Sequence, residues 1–244
     1  MNRLLFLLVL GLAFFVNDIS FAQSVNIDLG DDSGSATGRI VQLVLLITIL
    51  SIAPGLLVMA TSFTRIIIVF SIMRQALSTT NTPPNMVLVS LAMFMTAFIM
   101  APTFEKSWNE GIVPITQEKV ETMQGLENAA KPFHEFMMNN VRDKDLQLFL
   151  EMNKELVIEK PEDVPLSSLI PAFMISEMKR AFEIGFLIYL PFIIIDMIIA
   201  SILMSMGMMM LPPSMLAMPF KLIFFVLIDG WFLLTGSLVN SFNH

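Results

Sequence analysis

The sequence contains no cysteine. That absence removes disulfides, thiolate nucleophiles and cysteine metal sites together. Histidine is nearly as scarce, with only His134 and His244 present. HExxH, GxSxG, GxGxxG and P-loop patterns do not occur. No catalytic group, metal site or cofactor is therefore expected, and the chain does not read as an enzyme. Charged residues make up only 14% of the chain, against roughly 25% in ordinary globular proteins. The 14 Lys and Arg are outnumbered by 21 Asp and Glu, for a net charge of −7. A basic footprint for nucleic acid is thus missing.

What fills the chain is apolar. Hydrophobic residues account for 55% of its 244 residues, and the mean hydropathy is +0.75. A water-soluble globule of this size cannot hide so much apolar surface. An all-α membrane protein of kinked helical hairpins, with a small helical periplasmic region, is expected. Methionine is abundant, at 21 residues. Its flexible thioether seals irregular gaps.

Residues 1–22 read as a secretory signal peptide. Arg3 supplies the basic start, residues 4–16 the apolar run, and Ser20-Phe21-Ala22 the small-residue cleavage site before Gln23. Residues 23–39, with Asp28, Asp31 and Asp32, read as a mobile acidic leader. The first hydrophobic hairpin spans 40–101. Its first segment, 40–60, carries Pro54-Gly55, where a kink is expected. Its second, 86–101, lies between Pro84 and Pro102 and is short for a span. Between them stand Arg65 and Arg74, with no acidic neighbour in sequence.

Residues 102–165 turn polar, with apolar residues at helical spacing, including Phe133, Phe136, Met137, Leu146, Phe149 and Leu150. A second hydrophobic hairpin follows over 166–244, with segments at about 182–204 and 215–239. Basic residues without acids around Arg65 and Arg74 place that loop in the cytoplasm, and the acid-rich 102–165 region in the periplasm.

Several charges lie in or beside the apolar runs, where they are costly. Glu177 with Arg180, and Lys179 with Glu183, have spacings that share a helix face. They form either a self-neutralising cluster or one in which a residue pairs with a base on another subunit. Asp196 and Asp229 stand alone among aliphatic residues, and Lys221 follows Pro219-Phe220. A lone buried Asp needs a partner or a proton, and for Asp196 a base on a neighbouring segment or subunit is expected within contact distance. Inter-subunit pairing is expected ahead of a proton relay, because no chain of acids or histidines extends from either one. The methionines of 204–210 also raise a thioether copper site, but all of them occupy a single turn.

Residues 66–102 read IIIVFSIMRQALSTTNTPPNMVLVSLAMFMTAFIMAP, and 169–213 read LIPAFMISEMKRAFEIGFLIYLPFIIIDMIIASILMSMGMMMLPP. Both resemble the FliP family of flagellar export proteins, and residues 215–234 continue the match. Injectisome homologues share these motifs, and the signal peptide favours the flagellar branch. The resemblance implies a pore-forming subunit of the flagellar type III export gate, in the inner membrane and basal body, with much of the chain on the periplasmic side. It implies FliQ-like and FliR-like partners, further copies of the chain in a ring, other flagellar export components, and unfolded flagellar proteins as substrates. A small-solute or ion transporter is the alternative, and the lack of an internal repeat speaks against it. With copies around one axis, Met208, Met209 and Met210, hinged on Gly207, are expected to form a methionine pore gate. Glu177, Lys179 and Arg180 are expected at a subunit interface.

Overall fold

A computed structural model of the chain describes residues 60–152, 160–208 and 211–242, with isolated helical positions between 44 and 59. The signal peptide, the acidic leader, Pro54 of the expected kink, and Met209 and Met210 lie outside the described residues. Residues 1–49 and 50–244 separate into two compact units. In the first, Thr48 Oγ1 donates to the Val44 carbonyl at 2.7 Å, an i−4 bond within a helical turn. The rest of this section concerns the second.

The chain is an all-α membrane protein. Helix α1, Phe63–Ala76, buries Ile66, Val69, Phe70, Met73 and Ala76, a stripe at three- and four-residue spacing. It ends in a Schellman motif. Ser78 adopts φ 58°, its N–H bonds the Gln75 carbonyl at 2.9 Å, and the Thr79 N–H bonds the Arg74 carbonyl at 3.3 Å.

Helix α2 runs Asn85–Ser107. A π-turn, Trp108–Ile112, and α3, Val113–Thr116, extend it without a break. Pro102 was expected to end the second segment, and it does not. Proline removes one backbone donor, yet the helix continues because its far end is held by α4, Thr122–Asn140. The Ser107 hydroxyl donates to the Ala129 carbonyl at 2.7 Å. A Cβ on Gly111 would stand 2.4 Å from that of Ala129, so the two backbones meet where only glycine fits.

Helix α5, Asp143–Met152, follows. A 3-10 turn, Pro161–Asp163, leads into α6, Leu166–Ser205. At 40 residues, α6 is about 60 Å long. The sequence suggested a separate approach before a segment at 182–204. The two are one helix that runs on through Pro171 and Pro191, its first stretch held by packing. Its first half is packed: Leu169, Ala172 and Phe173 join Met137, Val141 and Leu146 in one cluster, with Phe136, Phe149 and Leu150 against it. Its second half is largely bare, with Phe182, Phe186, Leu187 and Met197 each at least 60% exposed.

Helix α7, Pro213–Leu227, and α8, Gly230–Asn240, replace the expected single fourth segment. They bend by 64° at Ile228-Asp229. Asp229 sits at φ 51°, a conformation that Asp tolerates better than most residues. A Cβ on Gly230 would lie 2.3 Å from the Phe225 ring. Among the described residues, two helices are long and apolar enough to cross a membrane, or three if α7 and α8 form one bent span. A second cluster joins α1, α2, α6, α7 and α8 through Ile66, Phe70, Leu88, Ala181, Phe192, Phe225 and Leu238.

Candidate functional site

Three of the charges singled out in the sequence, Glu177, Asp196 and Lys221, fall into two groups. Arg65 and Glu177 form the deepest one, and both are fully buried. Arg65 Nε donates to Glu177 Oε2 at 2.8 Å, and Nη2 donates to Oε1. This is a bidentate fork between α1 and α6. Nη1 donates to the carbonyl and the hydroxyl of Ser241, each at 2.9 Å. The Phe242 ring lies 3.6 Å from the guanidinium carbon and stacks on Phe136 at 6.1 Å. The end of α8 therefore covers the pair. Sequence reasoning gave Glu177 to Arg180 or to a neighbouring subunit. The counter-ion is instead Arg65, 112 residues away in the same chain. Arg65 thus does not belong to a solvent-facing loop.

Lys221 and Asp196 form the second group. Lys221 is fully buried. Its Nζ donates to Asp196 Oδ2 at 2.6 Å, Ser78 Oγ at 2.8 Å and the Ala76 carbonyl at 3.0 Å. All three ammonium hydrogens are satisfied. The Ala76 carbonyl belongs to the last turn of α1, so a side chain from α7 caps that helix. Asp196 takes its base from a neighbouring segment of the same chain, one of the two places expected to supply it, and not from another subunit. Its Oδ1 is buried without a hydrogen-bond partner among the described residues.

A third network was not foreseen. Asp145 accepts from Arg142 Nε and Nη2, both at 2.8 Å, and from Ser176 Oγ at 2.7 Å. Ser176 in turn accepts from the Arg142 N–H at 3.1 Å. Burial pushes the Asp145 carboxyl up. The hydrogen bonds from Ser176 and Arg142, with the charges of Arg142 and Lys179, outweigh that and hold it below its ordinary value. The Arg142–Asp145 spacing of three was visible in sequence, but Ser176 lies a helix away.

The remaining charges are peripheral. Lys179 Nζ and Glu183 Oε1 are 3.5 Å apart, with both side chains more than half exposed. Such a pair contributes little stability. Arg180 is half-buried, and no ion pair engages it among the described residues. Asp229 was expected inside an apolar run. It is exposed at the α7–α8 break instead.

The methionine turn joins α6 to α7. Gly207, at φ 74°, is the residue after the helix cap in a second Schellman motif. Its N–H bonds the Met204 carbonyl at 3.1 Å, and the Met208 N–H bonds the Leu203 carbonyl at 3.0 Å. Met204, Met206 and Met208 are exposed. Leu203, Met204, Met208, Leu211 and Pro213 line a largely apolar cavity of about 240 Å³. Among the described residues, no three acids or histidines gather as a metal site.

Comparison with known proteins gives this arrangement a family. The profile of the FliP family matches residues 46–238. The flagellar biosynthetic protein FliP of Caulobacter vibrioides is 52% identical over 225 residues, covering 92% of this chain and 84% of the relative. That of Bacillus subtilis is 51% identical over 223 residues, covering 90% and 99%. That of Agrobacterium fabrum is 48% identical over 242 residues, covering 98% and 99%. The matched stretch spans the positions of Arg65, Glu177, Asp196 and Lys221 and the methionine turn, and on that extent of agreement the chain belongs to the FliP family.

Proposed function

We propose that the chain is a pore-forming subunit of the flagellar type III protein export gate in the bacterial inner membrane, passing unfolded flagellar subunits outward. Membership of a family whose members are named flagellar biosynthetic proteins supports the setting. The observation that carries the pore reading is the turn between α6 and α7. It presents Met204, Met206 and Met208 at the end of two apolar helices. Further copies of the chain around one axis would repeat Met208, Met209 and Met210 as a ring. A thioether ring excludes hydrated ions by dewetting and re-packs around segments of any sequence. Gly207 gives the turn its left-handed step.

FliQ-like and FliR-like subunits, other flagellar export components and neighbouring copies cover the bare face of α6. Lys179, Arg180 and Glu183 meet neighbours there. A cleaved signal peptide delivers the chain, and much of it stands on the periplasmic side. Expression in a flagellated host lacking its own homologue tests the reading. The chain restores secretion of filament protein and motility. Alanine at Met208, Met209 and Met210 leaves assembly intact and opens an ion leak. Normal insertion without restored secretion would overturn the export role. An assembled, ion-tight triple variant would overturn the gate.

A further inference from the structure

Arg74 stands nine residues after Arg65 on α1, and its guanidinium is used differently. Arg65 engages both edges of its guanidinium within the chain. Arg74 engages Nη1 alone, which donates to Asn85 Oδ1 and, at 3.4 Å, to the Pro83 carbonyl. Among the described residues nothing accepts from Nε or Nη2. Those two nitrogens form the edge that grips a carboxylate or phosphate with parallel bonds. No Asp or Glu occurs in sequence between residue 60 and Glu105, and no ion pair engages Arg74 among the described residues.

Arg74, Ser71 and Asn85 share a cavity of about 220 Å³ with Ile67, Leu88 and Val89, between α1 and α2. The Ser71 hydroxyl has no partner among the described residues. One part of the cavity is therefore cationic and hydrogen-bonding, and the other is aliphatic. Outside it, α2 continues as a bare apolar surface, with Met86 81% and Met93 57% exposed. The cavity is smaller than a site that encloses a whole small molecule. It suits a charged group whose apolar remainder runs out along the helix.

We infer that this α1–α2 pocket binds an anionic phospholipid. The phosphate is held on Nε and Nη2 of Arg74, with Ser71 and Asn85 in reach, and one acyl chain lies along Ile67, Leu88 and Val89. An anionic lipid is selected over a zwitterionic one because the arginine charge is unpaired, and a cationic headgroup would offset the attraction. The inference rests on a membrane setting for the hairpin and not on the export role.

Lipid retention tests it. The full chain is purified in mild detergent, incubated with phosphatidylglycerol or phosphatidylcholine, and analysed by native mass spectrometry. The parent retains phosphatidylglycerol in preference. Arg74→Gln lowers that retention about tenfold, to the phosphatidylcholine level, and Arg74→Lys keeps part of it. Lys131→Gln, on α4, changes nothing. Val89→Phe fills the pocket and lowers retention without touching the charge, which decides the matter if Arg74→Gln fails to fold. Equal retention of both lipids by the parent would overturn the inference and point to a carboxylate from a neighbouring chain. Full retention by a folded Arg74→Gln variant, or by Val89→Phe, would overturn it too. So would complete displacement by inorganic phosphate at the lipid's concentration, since that ion has no acyl chain.

Discussion

Glu177 and Arg65 meet face to face across 112 residues of sequence, with Arg65 Nε 2.8 Å from Glu177 Oε2 and neither side chain open to solvent. Ionised groups at that depth are held by each other and by their remaining hydrogen bonds. Replacing one of them strands the other. Glu177→Ala or Arg65→Ala is expected to cost about 3–5 kcal/mol of stability, read as a lower melting temperature of the detergent-solubilised protein. Arg65→Met with Glu177→Met restores most of the loss, since a well-packed apolar pair needs no counter-ion. A single variant as stable as the parent would show that the charges are not buried in the folded chain.

Lys221 carries three acceptors from two parts of the chain, Ala76 and Ser78 at the end of α1 and Asp196 on α6. Lys221→Met leaves the Asp196 carboxylate without its base and the Ala76 carbonyl without its cap. The expected loss is again about 3–5 kcal/mol. Asp196→Asn is expected to be milder, because its amide oxygen still accepts from Nζ and the other two acceptors stay in place. Protease protection of the α1–α2 turn follows the same order. The opposite order, with Asp196→Asn the more damaging, would mean that the ammonium depends on the carboxylate charge more than on its hydrogen bonds.

Gly230 lies against the Phe225 ring with no room for a methyl group. Gly230→Ala is expected to destabilise by about 1–3 kcal/mol through overpacking. Phe225→Leu in the same chain recovers part of the loss by vacating the contact. Thermal unfolding of the three variants checks this. No recovery in the double variant would place the cause in the backbone of the α7–α8 bend.

Asp145 sets a pH dependence outside the apolar helices. Its folded-state carboxyl is depressed, chiefly because the Ser176 and Arg142 hydrogen bonds outweigh burial. A depressed carboxyl contributes stability that is complete above the unfolded value, about 3.9, and is lost as pH falls through the folded value. Packing of α5 on α6 should therefore hold from neutral pH down to about pH 4 and weaken below it. Hydrogen exchange of the α5 amides reads this directly, and Asp145→Asn removes the dependence. An identical acid response in parent and variant would assign it to other carboxylates.

The two hairpin turns had different legibility. Pro83-Pro84 and Pro212-Pro213 announced both in the sequence. The Schellman geometry at Gly207 was half-legible, because glycine is the expected residue in a left-handed helix end. The same geometry at Ser78 was not, since serine carries no such signal. Pro102 misled in the other direction. A proline forbids one hydrogen bond, and whether the helix then ends depends on what packs beyond it. Gly111 and Ala129 supplied that packing, and they are far enough apart in sequence that their contact left no local trace.

The sequence by itself determined the class of molecule. Its apolar content, sparse charge and missing catalytic residues made an all-α membrane protein the expected outcome, and two long motifs resembled one family. Composition and order suffice for this because apolar transfer energy scales with apolar area and helical periodicity is written locally in the chain. The pairing of charges was decided only by tertiary structure. Arg65, Glu177, Asp196 and Lys221 were each conspicuous, but a counter-ion is chosen by proximity in space and by the cost of leaving a charge dry. Helical spacing offered Arg180 to Glu177 at three residues. The fold gave it Arg65, because α1 and α6 pack side by side and bring both groups into one dry interior.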